Sequence, residues 1–84
     1  MIIRVQSGEA IAEVVHIYLS EMMGEKDYYI FGTCAGHGMF SGAKITLGIY
    51  RSKEKALEEL DRIEDFFSKK PNGIYKMSKI NGTV

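Results

Sequence analysis

Hydrophobic and polar positions alternate with two different periods along this chain, and the period changes with position. "AKITLGIY" (residues 43–50) alternates by twos. Ile45, Leu47 and Ile49 fall on one side, and Lys44, Thr46, Gly48 and Tyr50 on the other, which predicts a strand with one buried face. "DYYIFGTCA" from Asp27 is rich in aromatic and β-branched residues and also predicts a strand. "MIIRVQ" predicts a short first strand, with Ile2 or Ile3 and Val5 pointing inward.

Beyond Tyr50 the period becomes helical. Ala56, Leu57, Leu60, Ile63, Phe66 and Phe67 form one apolar stripe over Lys53–Ser68. Ser52 suits the N-cap, because its hydroxyl can accept from a free backbone N–H of the first turn. Glu58–Arg62 and Asp65–Lys69 have the spacing of helical ion pairs. Pro71 stops the helix, and Asn72-Gly73 supplies a turn. "IYKMSKI" then predicts a final strand with Tyr75 and Met77 inward.

Residues 10–23 fit both periods. Ile11, Val14, Val15, Tyr18, Leu19 and Met22 share a helical face, which would give the ferredoxin-like order βαββαβ. Val15, Ile17 and Leu19 also alternate as in a strand, and "MMGEKD" would then close a hairpin.

A resemblance bears on this choice. "ITLGIYRSKEKALEELDRI" (Ile45–Ile63) resembles a pattern in small, largely uncharacterised proteins of Gram-positive bacteria and their phages and mobile elements. There, a strand ending in Leu-Gly-x-Tyr precedes a Ser-capped helix. "EVVHIYLSE" (Glu13–Glu21) resembles an earlier strand of those proteins. The resemblance implies an α+β fold: an antiparallel β meander, one long helix in the C-terminal half and a final strand. It tips Val14–Glu21 towards a strand paired antiparallel with Tyr28–Cys34. It also implies a small regulator or inhibitor of a host protein, and it carries no catalytic residues.

Eighty-four residues make a single domain, residues 1–84, with a thin core. No apolar run approaches the roughly 20 residues of a membrane span. The N-terminus lacks a signal-peptide pattern, and one cysteine makes no internal disulfide, so a cytoplasmic protein is expected. Eleven basic and eleven acidic residues cancel. Six acids between Lys53 and Asp65 (Glu54, Glu58, Glu59, Asp61, Glu64, Asp65) read as a solvated helix face.

The most conspicuous stretch is "FGTCAGHGMFSGAKITLG" (Phe31–Gly48), with five glycines, the only cysteine and one of the two histidines. Its spacing matches neither a P-loop nor a dinucleotide fingerprint, and it joins two strands instead of opening a helix. Cys34 and His37 make at most half of a zinc site. A cysteine in a strand usually acts as a small buried hydrophobe. The stretch therefore reads as a long hairpin loop in which Gly36 and Gly38 allow positive φ and Gly42 relieves crowding. No cofactor or metal is expected.

Met39 and Phe40, beside His37 at the loop tip, are the predicted partner-binding residues, contacting a protein partner or a second copy. The chain is thus expected to be a non-enzymatic protein-interaction module. The alternative is a nucleic-acid-binding domain using Lys69, Lys70, Lys76 and Lys79 with exposed tyrosines. Against it, Tyr18, Tyr28, Tyr29, Tyr50 and Tyr75 mostly read as core and rim residues. Only Tyr29 or Tyr50 suits a stacking surface, with Arg51 the one nearby base in sequence.

Overall fold

The computed structural model describes residues 1–21, 24, 26–35 and 42–78. These form five strands and one helix: β1 (Ile2–Arg4), β2 (Ile11–Glu21), β3 (Tyr28–Cys34), β4 (Lys44–Tyr50), α1 (Lys53–Lys69) and β5 (Ile74–Lys76). The sheet order is β4-β3-β2-β1-β5. The first four strands are an antiparallel meander, and β5 returns to lie parallel with β1. This is an α+β fold. The ferredoxin-like alternative fails at residues 11–21, which are strand. Register decides it: Leu19 lies opposite Ile30 and Glu21 opposite Tyr28, so the β-rich run completes a sheet with β3.

The helix forms where its stripe and caps place it. Ser52 Oγ accepts from the Lys55 N–H at 3.1 Å, and the last helical residue lies two before Pro71. α1 joins one edge strand, β4, to the opposite edge strand, β5, and so covers a single face of the sheet. Ile3, Val14, Ile30, Leu47, Tyr50, Ala56, Ile63 and Met77 make the core between the two layers. The last strand is shorter than expected and covers Ile74–Lys76 alone, with Tyr75 and Met77 inward as the alternation requires.

Two interruptions of the ladder shape the sheet. Between β2 and β3, Val14 pairs with Cys34 and His16 with Thr33, which leaves Val15 as an extra residue. Between β3 and β4, Ile30 pairs with Gly48 and Phe31 with Thr46, which leaves Leu47 extra. Such bulges bend a strand and shift its alternation by one. The bend is visible in the backbone: the Gln6 N–H, just beyond β1, donates to the Leu47 carbonyl at 2.8 Å. The β4 edge has therefore curled around to the segment that follows β1.

The shift in alternation corrects the β4 reading. Ile45 and Leu47 face the core as expected, but beyond the bulge the inward positions are Gly48 and Tyr50. Tyr50 is 1% exposed, and Ile49 is not a core residue. Gly48 fits because a Cβ there would lie 2.9 Å from Tyr50 Cε2 and 3.3 Å from Met77 Cε. Gly42 has a different role from the one expected. Its φ is +81° with nothing within 4 Å of a built Cβ, so it serves the backbone turn and relieves no crowding.

Candidate functional site

Two clusters hold the chemically capable side chains, one inside the fold and one on its surface. The inner cluster centres on Glu59. It lies three residues after Ala56 and four before Ile63, so it sits on the buried face of α1, and it is 0% exposed. Its carboxylate is fully engaged. Arg62 Nη1 donates to Oε1 at 2.9 Å, the Tyr75 hydroxyl to Oε2 at 2.9 Å and the Ser78 backbone N–H to Oε2 at 2.8 Å. The expected Glu58–Arg62 pair does not form. Arg62 turns to Glu59, and Glu58 pairs with Lys55 at 3.8 Å. A charge run read as wholly solvated thus contains one core residue.

The same cluster extends to Gln6 and Tyr50. Gln6 Nε2 donates to the carbonyls of Ile49 and Ser78, and its Oε1 accepts from the Ile49 N–H. The Tyr50 hydroxyl donates to the Ser78 carbonyl at 3.1 Å. Burial first, and then the Glu59 carboxylate, pushes the Tyr50 hydroxyl well above its ordinary pKa. Burial and the hydrogen bond to Glu59 do the same to Tyr75. The hydrogen bond to Glu59 raises Arg62 as well. Among the described residues no buried side-chain polar atom lacks a partner. The cluster is therefore a closed clamp that ties the segment after β5 to α1, β4 and the end of β1. Every group in it faces another protein group.

The surface cluster lies on the sheet face that α1 leaves uncovered. Alternation and register place His16 and Tyr18 of β2 beside Tyr29 and Phe31 of β3, with Tyr18 directly opposite Phe31. The four rings form a continuous row. Centroids are 5.4 Å apart for His16–Tyr18, 5.8 Å for Tyr18–Phe31 and 5.8 Å for Tyr29–Phe31, the last nearly parallel at 16°. Lys44 of β4 places Nζ 4.4 Å from the Phe31 ring centroid. Phe31 is buried by these neighbours, Tyr18 and Tyr29 are half-buried, and His16 is exposed. Further along the same face, Ile11 and Ile74 stand about half exposed, at 51% and 52%.

No family model, curated protein or solved structure matches this chain. The geometry alone therefore carries the functional reading.

The expected site residues fall in three places. His37, Met39, Phe40 and Lys79 lie outside the described residues. Lys69 is held by Asp65 at 3.2 Å near the end of α1, with Lys70 as its C-cap. Lys76 is exposed on β5, in register with Arg4 of β1. Of the described lysines, Lys69 and Lys70 thus stand at the end of α1 and Lys76 on β5. Cys34 ends β3 opposite Val14 and is only partly buried, not a core residue as expected. Among the described residues no three His, Cys, Asp or Glu are grouped to hold a metal, and no helix is long and apolar enough to cross a membrane. Tyr50 and Tyr75 prove to be clamp residues. The ring row on the uncovered face is made by His16, Tyr18, Tyr29 and Phe31, which only the strand register brings together.

Proposed function

We propose that this chain is a non-enzymatic interaction module whose working surface is the helix-free face of the sheet. One observation carries the reading. Four aromatic rings, from two adjacent strands, are gathered in a row on the face that no other element covers among the described residues. Aromatic residues are the side chains most enriched at binding surfaces, because they offer large, stiff contact area with a polar edge. The non-enzymatic part of the reading is supported by the clamp. The convergent polar groups of the interior are spent on one another, with Glu59 fully enclosed. The host-directed regulatory role implied by the resemblance adds no residue to this surface.

The test compares the two layers. Tyr18→Ser with Tyr29→Ser alters the aromatic row, and Glu64→Ser alters the exposed outer side of α1. Each is used as bait in native cell extract, with and without nuclease, beside a melting curve. The reading expects binders of the parent protein to be lost from the tyrosine variant and kept by the Glu64 variant. Loss with the Glu64 variant alone would place the working surface on the helix and contradict it.

A further inference from the structure

We propose that the helix-free face binds single-stranded nucleic acid, stacking bases on His16, Tyr18 and Tyr29 and meeting phosphates with Arg4, Lys44 and Lys76. This rests on the reading of that face as the working surface and adds the ligand class. The chain is neutral overall, but its unpaired charge is divided between the two layers. All four bases on α1 are matched by acids: Lys53 by Glu21, Lys55 by Glu58, Arg62 by Glu59 and Lys69 by Asp65. Glu54, Asp61 and Glu64, against Lys70 at the C-cap, then leave the helix layer acidic.

The sheet face has the opposite balance. Arg4, Lys44 and Lys76 share it with one acid, Glu13. Among the described residues neither Lys44 nor Lys76 has an ion-pair partner. Arg4 gives one donor to the Gly8 carbonyl at 2.9 Å and keeps its charge. Lys44 and Lys76 stand on the two edge strands, with the rings on strands between them. Four inter-strand steps of about 4.8 Å separate the two lysines along the sheet. Cations flanking a row of rings is the arrangement that binds an unpaired strand: every base has a π-face, and the phosphates need positive charge. A duplex hides those faces and meets only the charges. A protein partner would have to bring acids to both edges, whereas a single strand carries a phosphate at every nucleotide.

The experiment is fluorescence anisotropy with labelled oligo-dT and oligo-U of about twelve nucleotides, within the usual site size of such surfaces, and a duplex of equal length. Both single strands should bind and the duplex should bind at least several-fold more weakly. With three cations engaged, log affinity should fall with log salt at a slope of about −2. Tyr18→Ser with Tyr29→Ser should weaken binding about tenfold or more. Lys44→Glu and Lys76→Glu change exposed side chains and leave the fold intact, and each should weaken binding several-fold. Equal affinity for duplex, binding indifferent to both lysine reversals, or no binding of either oligonucleotide would overturn the inference. If no oligonucleotide binds while capture from nuclease-treated extract still depends on Tyr18 and Tyr29, the ligand class is wrong and the working surface stands. If capture too is indifferent to the tyrosines, both fall.

Discussion

Both faces of the sheet carry large side chains and bury them to different extents. On the covered face, Ile3, Val14, Ile30 and Leu47 are essentially inaccessible and pack against Ala56 and Ile63 of the helix. On the other face, Ile11 and Ile74 stand half exposed and Tyr18 and Tyr29 partly exposed, with the rings against each other and Lys44. A thin domain of this size has little burial to spare. Aromatic surface left partly in water therefore contributes less to the fold than the same surface would in the core. One face is filled by the core under α1, and the other is the proposed ligand surface.

The largest effects should come from the covered face. Ile30→Ala removes a fully buried side chain under the helix and should lower stability by about 2–5 kcal/mol, read by chemical denaturation. A loss below about 1 kcal/mol would mean that the helix does not seal this face.

The strands and the helix were legible in the sequence because their periods are local. Lys53–Ser68 was expected as helix, and Lys53–Lys69 is observed. Val14–Glu21 was expected to pair with Tyr28–Cys34, and it does. The bulges were not legible. An extra residue at Val15 or Leu47 exists only relative to a partner strand, so alternation read along one strand runs straight through it. That is why Tyr50 was assigned to the wrong side. Glu59 was hidden by its acidic neighbours, although its spacing from Ala56 and Ile63 was the available signal. The aromatic row was hidden for a third reason. His16 and Tyr18 lie more than ten residues before Tyr29 and Phe31, and register alone makes them neighbours.

The clamp gives the next effect in size. Glu59→Ala should destabilise by about 3 kcal/mol, because it leaves the Tyr75 hydroxyl and the Ser78 N–H without their acceptor. A melting temperature equal to that of the parent would show that the segment after β5 is not anchored through this carboxylate.

The clamp also predicts an alkaline limit. Tyr50 and Tyr75 have folded-state pKa values raised above the ordinary tyrosine value of about 10. Their contribution to stability is complete below about pH 10. It is lost as pH rises beyond that, since the unfolded chain ionises first. Denaturation midpoints should hold on approaching pH 10 and fall above it, and Tyr50→Phe should make the fall shallower. An equally steep fall in Tyr50→Phe would assign the alkaline loss to other groups.

The smallest effect belongs to the uncovered face. Ile11→Ser and Ile74→Ser should each lower stability by about 1 kcal/mol, because only half of each side chain is buried. Losses comparable to that of Ile30→Ala would erase the distinction between the faces.

The most direct test of that distinction is a two-dimensional NMR titration of the isotope-labelled protein with single-stranded oligo-U. Shift changes are expected to centre on His16, Tyr18, Tyr29, Phe31 and Lys44, with the amides of Lys53–Lys69 nearly still. Shift changes centred on the helix, or none at saturating oligonucleotide, would contradict it.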